Sequence, residues 1–211
     1  DVKVVVSDGT GTLSAADLAA ITAKTTGTVT LQNAQTISGT GDEVTAALIT
    51  DAVTLSAASN ATVTGNVTAE VAGNIANVTD ITAAFSGTIT DTLANLADSG
   101  SISTNFSRAR GDDTDVKVVV SDGTGTLSAA DLKAVTEKTT GTVTLQNAQT
   151  VSGSGSDLVA ALKTDPVTLS AASTATITSA VTAAVAAEIA AITDITLDSS
   201  GDGTITDTLE N

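Results

Sequence analysis

A tripeptide of threonine, one branched aliphatic residue and threonine or serine returns through this chain at a nearly fixed interval. It reads Thr12-Leu13-Ser14, Thr36-Ile37-Ser38, Thr62-Val63-Thr64 and Thr88-Ile89-Thr90, and again Thr126-Leu127-Ser128, Thr150-Val151-Ser152, Thr176-Ile177-Thr178 and Thr204-Ile205-Thr206. Within each set the spacing is 24 to 28 residues. Repeats of that length are single supersecondary units that bury their apolar side by stacking on one another, which points to a solenoid.

The two sets belong to two copies of one module. Asp1 to Leu18 recurs unchanged as Asp115 to Leu132, and the offset of 114 holds until the loop Ser199-Ser200-Gly201-Asp202-Gly203, where the second copy carries two extra residues. The division expected is therefore a first four-repeat module over 1–95, a joint over 96–114 and a second module over 115–211. Differences between the copies, such as Ala19 to Lys133, Ala23 to Glu137 and Ile49 to Lys163, fall outside the apolar pattern and mark exposed positions.

Each repeat opens on a short alternating strand: Val2-Lys3-Val4, Val29-Thr30-Leu31, Val53-Thr54-Leu55 and Ile81-Thr82-Ala83, with Val116, Val143, Val167 and Ile195 in the second copy. Alternation of aliphatic and polar residues marks a half-buried strand. A small-residue corner follows, as in Gln32-Asn33-Ala34-Gln35, and then the tripeptide. Beyond it the period lengthens to that of a helix, as in Val67, Val71, Ile75 and Val78. The hydroxyl closing the tripeptide stands where it can cap that helix, and Ser14-Ala15-Ala16-Asp17 resembles a capping box. Helices end at turns such as Thr79-Asp80 and Thr193-Asp194.

A strand, crossover helix and parallel strand are almost always connected in the right-handed sense. The fold expected is a right-handed α/β solenoid of roughly eight strand-corner-strand-helix coils, with one parallel sheet and one helical flank; a β-solenoid is the alternative. The layout is similar to that of leucine-rich-repeat proteins, without their asparagine ladder. At the joint, Ser101-Ile102-Ser103 offers an extra strand and Arg108 to Asp113 reads as an exposed loop. One continuous stack through the joint is favoured over two separately capped domains.

Composition narrows the chemistry. The chain has no Cys, Met, Trp, Tyr or His, so thiolate sites, disulfides and imidazole bases are excluded. Its net charge of −16 disfavours nucleic acid and anionic membranes as partners and favours bound cations. No apolar run reaches the roughly 20 residues of a membrane helix. Asp1-Val2-Lys3 shows no signal-peptide pattern, as at the edge of an excised fragment. The paired acids Asp42-Glu43 read as first-turn helix residues, and the chain is expected not to be an enzyme.

Three patterns are candidate sites. Asp198, Ser200, Asp202, Gly203 and Ile205 have the spacing of a calcium loop, with Leu209 where a bidentate Glu belongs, so calcium is the one cofactor considered. Arg110-Gly111-Asp112 matches the integrin-binding tripeptide and defines a candidate adhesion loop. Outward threonines repeating at about 4.7 to 4.9 Å resemble the ice-contacting faces of solenoid antifreeze proteins.

Across nearly its whole length, in phrases such as Thr79-Asp80-Ile81-Thr82 and Ile89-Thr90-Asp91-Thr92-Leu93-Ala94-Asn95-Leu96, the chain resembles the repeat regions of giant secreted bacterial surface proteins, cyanobacterial cell-surface and adhesin-like proteins among them. That resemblance implies a secreted or cell-surface structural module, a spacer or extender without enzymatic activity, whose partners are neighbouring repeats of the same chain. A binding module, for calcium-linked adhesion or ice, is the alternative.

Overall fold

A computed structural model describes residues 1–50, 53–163, 167–169, 171–198 and 203–207. The protein is a mixed α/β chain with several parallel sheets, and it divides into two compact units. Unit 1 comprises Asp1–Ile89 and Thr104–Val116, and unit 2 comprises Thr90–Ser103 and Lys117–Asn211. The stretch between the copies is thus shared: its first part folds with the second module and its second part with the first.

In unit 1 each repeat places its two strands in two different sheets. The leading strands β1 (Val4–Val6), β3 (Val29–Leu31) and β5 (Val53–Leu55) form one parallel sheet in the order β1-β3-β5. The tripeptide strands β2 (Thr12–Ser14), β4 (Thr36–Thr40) and β6 (Ser59–Thr64) form a second, to which β7 (Ile81–Phe85) is added in the order β2-β4-β6-β7. A single sheet was expected, and two are present because the small-residue corner turns the chain between them.

The register also differs from the expected one. Val4, not Val2, stands opposite Val29 and Val53. Ile81 is not in that sheet; it pairs with Ser59 in the tripeptide ladder. The third tripeptide is displaced within the ladder, since Thr36 pairs with Asn60 and Ser38 with Thr62. A shift of two residues keeps each side chain on its own face, because side chains alternate with a period of two. Leu13, Ile37, Ala61 and Ala83 therefore still occupy one inward column. Ile37, Ala61 and Ala83 in that column are buried.

Helices α1 (Ala15–Thr22), α2 (Gly41–Thr45) and α3 (Ala69–Ala76) follow the ladder strands, and α2 continues as a π-helical segment over Ala46–Thr50. Their caps lie where the chain leaves the ladder. Ser14 closes its tripeptide and accepts from the Asp17 N–H at 3.2 Å, as expected. In the next repeats the cap moves downstream to Thr40, in a full capping box with Glu43, and to Thr68. Val67 precedes its helix and forms a parallel bridge to Ile89. The turn after α3 holds Asp80 at φ 64°, a left-handed conformation that Asp tolerates better than most residues.

Strand β8 (Thr88–Asp91) leads out of unit 1. Unit 2 begins in it and continues through α4 (Leu93–Leu96) and a hairpin of β9 (Ala97–Asp98) and β10 (Ser101–Ile102). The hairpin loop is Ser99-Gly100, with φ 52° and 76°. Positive φ at both loop positions is the two-residue turn whose twist suits paired strands. The extra strand expected at Ile102 is this antiparallel arm.

Helix α5 (Thr104–Asp112) returns to unit 1 and packs on α3. The exposed loop expected over Arg108 to Asp113 is helical up to Asp112. Phe106 and Ala109, one turn apart, are its buried residues, both at 0% exposure. Gly73 permits the approach, since a Cβ there would lie 2.6 Å from the Asn105 Cα.

In unit 2, β11 (Lys117–Val120), β13 (Val143–Leu145) and β15 (Val167–Leu169) form the leading-strand sheet, which β8 borders beside β11. Strands β12 (Thr126–Ser128), β14 (Thr150–Gly153), β16 (Ser173–Ile177) and β17 (Ile195–Asp198) form the tripeptide sheet. Val118 replaces the expected Val116 opposite Val143 and Val167, and Ile195 pairs with Ser173. The helices are α6 (Ala129–Thr136), α7 (Gly155–Lys163) and α8 (Ala183–Ala190).

Removing the Phe106 ring tests whether the joint helix is part of the core of unit 1. Phe106→Ala should destabilise unit 1 by about 3–5 kcal/mol in urea unfolding, the cost of a buried aromatic truncated in a packed site. A change within about 0.5 kcal/mol is what an exposed loop residue would give.

Candidate functional site

The polar side chains of greatest consequence hold one repeat to the next. Gln35 is 3% exposed, and its Nε2 donates to the carbonyls of Asp8 and Gly9 at 3.1 and 2.8 Å. Asn33 Nδ2 donates to the Asp8 carbonyl at 2.7 Å, and the Gln35 N–H donates to Ser59 Oγ at 3.1 Å. One four-residue corner thus ties three successive repeats together. Asn147, Gln149 and Ser173 repeat the arrangement in unit 2 around Asp122 and Gly123. The Oε1 atoms of Gln35 and Gln149 are buried without a partner among the described residues, a cost set against these bonds.

A second group of carboxylates terminates the sheets. The edge strand β7 presents alternate N–H groups away from β6. Asp112 Oδ2 accepts from the Ala83 N–H at 2.8 Å, and Asp113 Oδ2 accepts from the Phe85 N–H at 2.7 Å. Two adjacent acids at the end of α5 replace the carbonyls of a further strand and close an edge that would otherwise pair with another chain. Burial pushes the Asp113 carboxyl above its ordinary range, helped by the neighbouring Asp115 and opposed by the Phe85 hydrogen bond.

In unit 2 a third group fixes residues 90–103. Asp122 Oδ2 accepts from the Leu93 N–H at 2.6 Å, and Asp131 Oδ1 accepts from the Gly100 N–H at 2.6 Å. The Ser121 N–H donates to the Asp91 carbonyl at 2.9 Å. Between these anchors α4, β9 and β10 pack on α6.

The three sequence motifs fare differently. Arg110-Gly111-Asp112 sits at the end of a helix, with Gly111 exposed and the Asp112 carboxylate held by Ala83. Asp198 ends β17, where Thr176 Oγ1 lies 3.5 Å from its Oδ2, while Ser200 and Asp202 fall outside the described residues. No group of three potential metal ligands occurs among the described residues. The threonine ladder runs Thr12, Thr36, Asn60, Thr82 in unit 1 and Thr126, Thr150, Thr174, Thr196 in unit 2. Its neighbouring column contains Ala84 and Asp198, so the hydroxyls form no unbroken two-dimensional array.

An open cleft of about 660 Å³ is lined by Leu162, Val167, Leu169, Ala187 and Ile192 among others. Its Lys163 and Glu188 pair with each other at 3.4 Å. No helix among the described residues is long and apolar enough to cross a membrane. No protein-family model matches the chain, and neither does any curated protein or any solved structure.

The two units carry acids with opposite pH signatures. Asp113, raised in the folded state, adds stability that is fully present below its unfolded pKa and lost as pH rises through the folded value. Asp157 is lowered, first by the Ser154 hydroxyl at 2.6 Å and then by Lys133 at 3.0 Å, with burial opposing. Its contribution is present above the unfolded pKa and lost as pH falls through the folded one. In melts from neutral pH into the carboxylate range, Asp113→Asn should remove an acid-side gain and Asp157→Asn an acid-side loss. Identical pH profiles for both variants and the parent would contradict these assignments.

Proposed function

We propose that this chain is a non-enzymatic structural module, a spacer or extender within a large extracellular surface protein, and that each unit is a right-handed α/β solenoid. The observation that carries this reading is the use made of the joint. Residues 104–113 close the last ladder of unit 1, and residues 90–103 cover the first repeat of unit 2. The stretch between the copies, where a binding loop would be expected, serves the architecture. The glutamine and asparagine corners do the same, since their amides are spent on carbonyls of the preceding repeat.

A module that stacks like repeats in parallel register needs no central cavity, and its length is set by the number of repeats. Secretion or display at a cell surface follows from the compositional likeness to bacterial surface repeats, and neighbouring repeat modules are the partners this implies. The acidic surface favours solubility and loosely held cations, calcium among them, in such a setting.

Excising one interior repeat tests the solenoid reading. Deletion of residues 36–59 brings Asn60 into the ladder position of Thr36, its own partner in the parent. A stack with nearest-neighbour energetics should keep a cooperative urea transition with a lower midpoint and a smaller m-value. Loss of any cooperative transition would show that the repeats share one indivisible core.

A further inference from the structure

Asp1 to Leu18 and Asp115 to Leu132 are identical in sequence, yet the structure surrounds them differently. In unit 2 the segment Thr90–Ser103 lies over the first repeat. Asp122 holds its Leu93 N–H, Asp131 holds its Gly100 N–H, and Ser121 bonds the Asp91 carbonyl. Leu93, Leu96 and Ala97 of that segment are buried, as are Ala134 and Val135 on α6, where α4 and the hairpin pack. Unit 1 offers the same surface uncovered. Val5 is 60% exposed and Ile21 38%, whereas Val135, the counterpart of Ile21, is at 0%. The Asp8 and Asp17 carboxylates, counterparts of Asp122 and Asp131, are exposed and have no partner among the described residues, and the same is true of the Ser7 N–H.

We infer that the first repeat of unit 1 is a docking site for a polypeptide segment of the same chemistry as residues 90–103. The occupant has an Asp whose carbonyl takes the Ser7 N–H. Next comes a single helical turn whose second residue after that Asp, a leucine, presents its N–H to Asp8. A two-residue hairpin then turns its glycine N–H toward Asp17. Leucines at the positions of Leu93 and Leu96 cover α1. The receptor is established in unit 2 with its ligand in place, and unit 1 repeats the receptor residue for residue over 18 positions. The inference does not depend on the spacer reading, because it concerns what this surface binds and not what the chain does in its parent.

A fluorescein-labelled peptide of residues Thr90–Ser103, titrated with the full chain, tests it. The equivalent surface of unit 2 is filled by its tethered segment, which competes at high effective concentration, so one peptide should bind per chain. Asp8→Ala/Asp17→Ala changes two exposed side chains and leaves Asp122 and Asp131 untouched; it should weaken binding about tenfold or more, having removed two charge-assisted hydrogen bonds. Val5→Lys, a second exposed change, should weaken it independently. A peptide with Leu93→Asp and Leu96→Asp should not bind. Absence of saturable binding up to about 1 mM peptide, or binding unchanged by either protein variant, or equal binding of the aspartate peptide, would overturn the inference.

Discussion

The structure depends on parallel strand pairing with parity preserved from repeat to repeat. A ladder whose side chains alternate in and out tolerates a change of two residues in repeat length and no change of one. The tripeptide spacing varies only in even steps, and the third repeat absorbs its two additional residues by sliding Asn60-Ala61-Thr62 into the place that a tripeptide would take. The inward column then runs Leu13, Ile37, Ala61, Ala83 in unit 1 and Leu127, Val151, Ala175, Leu197 in unit 2. The two aromatic rings of the chain, Phe85 and Phe106, are buried in unit 1.

A stack of parallel strands ends in unpaired backbone on both sides, and this chain answers with carboxylates. Asp112 and Asp113 stand in for a strand at β7, while Asp122 and Asp131 receive the N–H groups of the segment laid over the first repeat of unit 2. Part of the negative charge is thereby structural. Acids that accept backbone hydrogen bonds gain what free surface acids do not, and they discourage further strands from adding at the same edge.

Much of the repeat was legible in the sequence because it is periodic. The tripeptide interval announced parallel stacking, and the switch from two-residue to helical period located the helices near 15–22 and 69–76. Where periodicity failed, so did the reading. Val4-Val5-Val6 is an unbroken apolar run in which alternation cannot choose a register, and Val4 takes the place expected for Val2. Two sheets were not separable from one, since strands facing one core share the same pattern. Helix α5 buries only Phe106 and Ala109, too few residues to mark a period, so it read as a loop. The clamps of Gln35, Asp112 and Asp113 rely on side-chain bonds to backbone 26 to 29 residues away, which no local pattern encodes.

Amide hydrogen exchange at β7 tests most directly the claim that joint residues complete the fold. The N–H groups of Ala83 and Phe85 point away from β6 and, among the described residues, have only the two aspartates as acceptors, so their protection reports the carboxylate closure alone. The account predicts slow exchange at both amides in the parent, and fast exchange at both in Asp112→Ala/Asp113→Ala while Ala84, bonded within the ladder, stays protected. Fast exchange of Ala83 and Phe85 in the parent, or protection that survives the double substitution, would contradict it.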